Sequence, residues 1–161
     1  MSYKGTSRKV KDCLVNILTN LTYDAGSGAE PLFVKVLDNT HDEFEGYPIA
    51  RVLPDRAASS VQDSISWLHE DSFAIIVTWP LTDPSNVESD LYNAAYDCAD
   101  LVRDTLEHDD HAATLNSIDP TLSWNFATVP STSWRVATSK QGGAILALSL
   151  NVTISYSQTA I

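Results

Sequence analysis

The residues best suited to chemistry form one short segment, residues 107–111, which reads Glu-His-Asp-Asp-His. His108 and His111 are three positions apart, and together with Asp109 they could offer nitrogen and oxygen ligands to a metal ion. The segment falls at the predicted end of a helix, where a solvated loop explains it equally well. One hypothesis is therefore a small metal-dependent enzyme or ligand-binding domain that uses these residues.

A second group, His69, Glu70 and Asp71, lies at a predicted turn and could add to such a site or act in acid-base catalysis. No G-x-S-x-G, H-E-x-x-H or G-x-x-x-x-G-K motif occurs in the chain. Cys13 and Cys98 fall at apolar positions of predicted helices, which favours two buried thiols over a disulfide. We therefore expect a protein without catalysis, and assign no catalytic, cofactor-binding or metal-binding residue.

The charge of the chain is strongly acidic and unevenly distributed. There are 21 acidic and 10 basic residues, for a net charge of -11. Much of the excess lies between residues 83 and 119, where Arg103 is the single base and the acids are Asp83, Glu88, Asp90, Asp97, Asp100, Asp104, Glu107, Asp109, Asp110 and Asp119. Such a surface repels phosphate, which argues against tight binding to nucleic acid. It could keep the protein soluble, reflect adaptation to high salt, or line a passage that DNA crosses without sticking.

The length and composition indicate one folded domain. The chain has 161 residues, of which 43% are hydrophobic and 19% charged. No stretch has the pattern of a membrane span, and residues 1–12 carry bases without the apolar segment of a secretory signal. We therefore expect a single domain over residues 1–161 that stays in the compartment where it is made.

The elements that would position these residues can be predicted from hydrophobic periodicity. Residues 146–156 alternate strictly between large apolar and small or polar side chains, so the segment 142–156 is predicted to be a long strand that is central or curved, or that projects beyond its domain. Helical spacing predicts one helix through Val10 to Leu21, capped by Thr6 or Ser7, and a second after the capping-box pair Ser85 and Glu88. Further strands are predicted at residues 32–37, 47–53, 72–79, 122–129 and 134–138.

The order helix, three strands, helix, three strands predicts the α+β class. We expect a mixed or mainly antiparallel sheet, two helices packed on one face, and a long C-terminal strand. The loops at residues 38–46 and 109–119 are expected to be the most mobile parts of the chain. A turn around Trp134, Arg135 and Lys140 is a candidate contact loop, although Trp134 could equally belong to the core.

Several of these elements together resemble the tail terminator proteins of long-tailed double-stranded DNA viruses. The elements that carry the resemblance are the N-terminal helix, the Gly46-Tyr47-Pro48-Ile49-Ala50 strand ending at Leu53-Pro54, the strand at 73–79, the acidic helix after Ser85, and the last strand after Gly142-Gly143. The likeness covers most of the chain in element order and length.

The resemblance implies a structural virion protein at the neck end of the tail. Such a protein forms a ring, usually of six copies, which caps the tail tube, ends tube polymerisation and joins the tail to the neck of the capsid. The implied partners are further copies of the chain, the tail tube protein and a neck or head-completion protein, with DNA passing through the lumen without specific binding and no membrane involved.

A ring of this kind requires a heterologous interface, which the long last strand could supply through its polar face or by adding a free edge to a neighbour's sheet. Three alternatives stay open. The chain could be a head-completion or neck adaptor protein, the metal-dependent protein described above, or an acidic protein that mimics DNA.

Overall fold

The computed structural model describes residues 5–24, 26–40, 48–63, 65–81, 88–138 and 143–159. Within these residues the order of elements is α1 (Thr6–Thr19), β1 (Thr22–Asp24), β2 (Ala29–Pro31), β3 (Lys35–Leu37), β4 (Ile49–Val61), β5 (Ser66–Pro80), α2 (Glu88–His108), α3 (Ala112–Ile118), β6 (Leu122–Thr138) and β7 (Ala144–Thr159). The predicted α+β fold is confirmed, and it forms a single domain.

Five strands form one mixed sheet in the order β3-β4-β5-β7-β6. The pair β3 and β4 is parallel, and the other three neighbouring pairs are antiparallel. The last strand, β7, lies between β5 and β6, so the central alternative is confirmed. The suggestion that a free edge of this strand meets another copy is wrong, because both of its edges are paired within the sheet. Strands β1 and β2 form a separate two-stranded sheet.

The helices pack against one face of the five-stranded sheet, as predicted. Cross-strand pairs such as Ile75 with Leu150 put the odd-numbered residues of β5 on the same face as the even-numbered residues of β7. That face is buried in a core that includes Leu14 of α1, Val102 of α2 and Leu115 of α3. The alternation of β7 thus sets the layering of the molecule, because its aliphatic side faces the helices and Ser149 and Thr153 are only half-buried on the other side.

The helices form where apolar residues recur at helical spacing. In α1 the buried residues are Val10, Cys13, Leu14, Ile17 and Leu18, the positions that the sequence predicts. The expected cap is wrong, because the helix already begins at Thr6 and Gly5 is the N-cap residue. The predicted Ser85–Glu88 capping box lies outside the described residues, which include α2 only from Glu88 onward.

Three strands are much longer than predicted, and in two of them a proline does not end the strand. Pro54 lies inside β4 and Pro130 inside β6, each beside an irregularity in strand pairing. Residues 54–61 continue β4 beyond its predicted end, and β5 begins at Ser66, six residues before the strand predicted at 72–79. Proline is tolerated at a bulge on a free edge, where its missing N–H donor breaks no ladder bond.

The other differences lie in segments that were predicted to be loops. Residues 109–119 contain α3, a third helix that is held by the buried side chain of Leu115. The glycine-rich segment after Asp24 is the β1–β2 turn, where Asp24 Oδ1 accepts a 2.7 Å hydrogen bond from the backbone N–H of Gly26. Gly26 and Gly28 have φ near 106° and 109°, a conformation that favours glycine. Of the predicted mobile loop at 38–46, residues 41–46 lie outside the described part.

Candidate functional site

The sheet has two long edges on which the described residues supply no partner strand. Strand β3 pairs with residues 49–51 of β4 alone, so β4 has an unpaired outer edge from Val52 to Val61. On the opposite side of the sheet β6 is the outermost strand over its whole length, Leu122 to Thr138. Unpaired N–H and C=O groups of this kind are a template for pairing with another strand.

The free part of β4 is also the exposed part of this strand. Residues 54–61 are exposed on both faces, whereas residues 49–52 are buried. The β4–β5 hairpin ends in two large apolar side chains, Val61, which is 70% exposed, and Ile65, which is 58% exposed. Along the opposite edge Phe126 is 52% exposed. Apolar side chains at a free edge are typical of surfaces that become buried in an assembly.

A further apolar patch lies where β6 meets α2. Trp134 pairs across the strands with Leu148, which places its side chain on the helical face of the sheet. Its ring lies 5.0 Å from the ring of Tyr96 on α2, centroid to centroid, and Val136 follows on the same face. Tyr96, Trp134 and Val136 all remain exposed. Trp134 is thus neither a core residue nor part of a loop, and Lys140 lies outside the described residues.

Two side chains of α2 hold the bulged part of β6. Glu107 Oε1 accepts a 2.9 Å hydrogen bond from the backbone N–H of Val129, the residue before Pro130. Arg103 Nη2 donates a 2.9 Å hydrogen bond to Thr132 Oγ1 on the other side of the bulge. The carboxylate therefore satisfies a backbone donor that the irregular pairing leaves free.

The acidic side of α2 lies away from the sheet. Asp97, Asp100 and Asp104 are exposed, whereas Ala95 and Val102 on the opposite side are buried. In the sequence Glu107 belongs to the same group of acids, but in the structure its side chain bonds to Val129 of β6. The negative face is thus presented to solvent.

The His108–Asp109–His111 group does not converge on a common point. His111 is buried, its Nε2 donates a 2.7 Å hydrogen bond to the backbone carbonyl of Thr105, and its ring meets the ring of Trp124 edge-on. His108 is exposed. Within the described residues no group of three or more His, Cys, Asp or Glu side chains could hold a metal ion. His111 thus acts as a structural link between the end of α2 and β6.

The sequence predicts a turn at His69, Glu70 and Asp71, but in the structure these residues lie within β5. Cross-strand pairing puts His69 beside Tyr156 and Asp71 beside Ile154 on the helical face. The Tyr156 hydroxyl donates a 2.8 Å hydrogen bond to Asp71 Oδ2, and the His69 ring stacks on Tyr156 at 4.9 Å. Sequence reasoning missed Tyr156, because the alternation of β7 marks it only as one more buried position.

His69, Asp71 and Tyr156 lie close to the beginning of α1. A cavity of about 230 Å³ beside Asp71 and His69 is also lined by Thr6, Ser7 and three small residues of β4, Ala57, Ala58 and Ser59. Burial, with the Asp71 carboxylate acting in the same direction, raises the pKa of Tyr156 above its usual range. The phenol therefore stays protonated at neutral pH and acts as a hydrogen-bond donor to Asp71.

Both cysteines are free and buried, as predicted. Burial raises the pKa of each thiol, Cys13 and Cys98, to about 12, which leaves them protonated and unreactive at neutral pH. In the part of the chain that the structure describes, no helix is both long enough and apolar enough to span a membrane.

The features that could support a function are thus the two sheet edges, the apolar side chains along them and the acidic side of α2. Comparison with known proteins names no family for the chain: it matches no protein-family model and no curated protein.

Proposed function

We propose that this protein is a structural component of a virion that forms a closed ring on the tail tube. The ring ends polymerisation of the tube and joins the tail to the neck of the capsid. The single observation that carries the proposal is the pair of long edges, β4 from Val52 to Val61 and β6 from Leu122 to Thr138, that lie on opposite sides of one sheet and are unpaired among the residues that the structure describes. The identity of the assembly comes from the resemblance to tail terminators.

Two different edges on opposite sides of a subunit favour a heterologous contact, in which one surface meets a different surface on the next copy. When the rotation between copies closes, such contacts form a ring in which every subunit contributes both of its edges to contacts with its neighbours. Six copies are the number that the resemblance implies. The partners in this proposal are identical subunits, the tail tube protein and a neck or head-completion protein.

The charge of the protein is compatible with a passage for DNA. A net charge of -11, with exposed Asp97, Asp100 and Asp104 on α2, repels phosphate. DNA would move through such a ring without adhering to it. No catalytic step is part of this proposal.

The test is to measure the mass of the purified protein by light scattering, to image it by electron microscopy, and to add tail tubes. We expect rings of one fixed copy number that bind one end of the tube and stop its growth. A protein that stays monomeric at every concentration and neither binds tubes nor limits their length would overturn the proposal. Binding to portal-side rings instead of tube ends would indicate a neck adaptor.

A further inference from the structure

The free part of β4 and residues 122–132 of β6 carry no net charge in a strongly acidic chain. Residues 52–61 of β4 contain one acid and one base, Asp55 and Arg56, and residues 122–132 of β6 contain no charged residue. The net charge of -11 therefore lies entirely elsewhere. Edge strands that must stay monomeric are commonly protected by charged side chains, lysine above all. Neither of these edges has a lysine, and both can approach a second copy without charge repulsion.

Along the strand direction, the free part of β4 lies level with the first part of β6, residues 122–128. Following the pairs across β5 and β7 places Arg56 level with Thr128, and Val61 level with Leu122. The end of β6, beyond residue 132, is level with residues 49–51 of β4, which already pair with β3. Two copies placed side by side would therefore bring one free stretch directly against the other.

The irregularities of the two edges also lie at the same level. The break in β4 begins at Pro54, which pairs with Phe73, and Phe73 pairs with Val152. In β6 the register breaks between Thr128 and Ser131, the partners of the residues on either side of Val152. The two proline bulges thus lie at the same position along the strand direction. Residues 56–61 of β4 and residues 122–128 of β6 lie on the same side of these bulges, so they are the stretches that could pair with each other between two copies.

The direction and size of the side chains fit the same contact. Each of the three steps from β4 to β6 is antiparallel, so β4 and β6 run in opposite directions. A neighbour in the same orientation would therefore meet β4 in the antiparallel sense. Residues 57–60 of β4 are Ala-Ala-Ser-Ser, all exposed, and such small side chains allow another strand to approach closely.

We propose that residues 56–61 of one copy pair antiparallel with residues 122–128 of the next copy, so that the sheets of neighbouring subunits become continuous. This inference rests on the proposed ring and specifies its subunit contact. Val61 and Phe126, exposed in the single subunit, become covered at the junction.

The first test is disulfide trapping with the double variant S60C/S123C. In the proposed contact Ser60 of one copy lies beside Ser123 of the next, and adjacent strands bring Cα atoms to about 4.5–5.5 Å, within reach of a disulfide. Within one chain the two residues are three strand spacings apart, about 14 Å, which is too far. We expect a ladder of covalent oligomers on mild oxidation, ending at the copy number of the ring.

The matched control is S60C/S133C. Ser133 is exposed on the same strand, but it is level with Arg51 and not with the free part of β4. This variant and the two single variants should give no ladder. A S60C/S123C protein that forms rings without a ladder would overturn the edge contact while leaving the ring intact. Cross-links from Ser60→Cys to the tube protein in place of a second copy would overturn it too.

A charge exchange gives an independent test that does not require oxidation. S60D/S123D places like charges opposite each other and should weaken ring assembly about tenfold per contact, whereas S60K/S123D should restore it. Both positions are exposed, so the fold itself should be unaffected, which circular dichroism and thermal unfolding check. Equal assembly by both variants would overturn the proposed contact. A wild-type protein that never leaves the monomeric state would overturn the ring itself.

Discussion

The hydroxyl of Tyr156 donates a 2.8 Å hydrogen bond to the carboxylate of Asp71, and both side chains are buried. This bond joins neighbouring strands β7 and β5 at the end of the sheet that bears the free edge of β4. The cavity next to Asp71 is lined by Thr6 and Ser7 at the beginning of α1. The start of α1 therefore lies close to the side chain of Asp71.

Tyr156→Phe should destabilise the protein by about 1–3 kcal/mol, since it leaves a buried carboxylate without its neutral donor. Urea unfolding followed by circular dichroism measures this loss. The matched control is Tyr23→Phe, at a tyrosine whose side chain is exposed, where the change should stay within about 0.5 kcal/mol. Equal free energies of unfolding for the two variants would show that the Asp71 bond contributes nothing.

Glu107→Ala should destabilise the bulged part of β6, because the N–H of Val129 loses its acceptor. We expect a cost of about 1–3 kcal/mol in the free energy of unfolding and faster hydrogen exchange at Val129. Asp104→Ala on the exposed side of the same helix is the control, and it should change neither quantity. Unchanged exchange at Val129 in Glu107→Ala would contradict the proposed role of the carboxylate.

The elements that could be predicted were those whose side chains repeat over many residues. Strand β7 has a period of two and helix α1 has a helical period, because one side of each element faces the core. The sequence therefore predicts the location of both elements. Pro54 and Pro130 misled the prediction of β4 and β6, because local rules treat proline as a strand breaker. Whether a proline falls on a free edge depends on the order of strands, which no short stretch of sequence contains.

The candidate sites were harder to predict, because side chains that are close in sequence need not act together. His108 and His111 are three residues apart, yet one is exposed and the other is tied to Thr105. Conversely, Asp71 and Tyr156 meet across 85 positions. The register between β5 and β7 brings them together, and hydrophobic alternation alone leaves that register open.

The ion pair between Lys9 and Asp119 makes part of the stability dependent on pH. Lys9 Nζ lies 2.7 Å from Asp119 Oδ2, and this bond together with that from Thr121 lowers the pKa of Asp119 to about 2. Because the folded pKa lies below the unfolded value, the contribution is complete above about pH 4 and disappears as the pH falls towards 2.

Asp119→Asn should therefore cost on the order of 1 kcal/mol at neutral pH, and the difference from wild type should shrink below about pH 4 and vanish as the pH falls through about 2. Urea unfolding at several pH values measures this difference. Asp97→Asn, at an exposed position of α2, is the control and should show no such pH-dependent gap. A gap for Asp119→Asn that stays constant down to pH 2 would mean that its charge is not involved.

His111 separates the structural interpretation from the metal-dependent hypothesis. Because its Nε2 bonds to the carbonyl of Thr105, His111→Ala should lower the free energy of unfolding by about 1–3 kcal/mol, whereas His108→Ala at an exposed position should have little effect. Elemental analysis of the dialysed wild-type protein should find no stoichiometric metal, and a chelator should leave the melting temperature unchanged. Stoichiometric metal in the wild type that is lost in His111→Ala would instead support a ligand role, because a purely structural histidine has no metal to release.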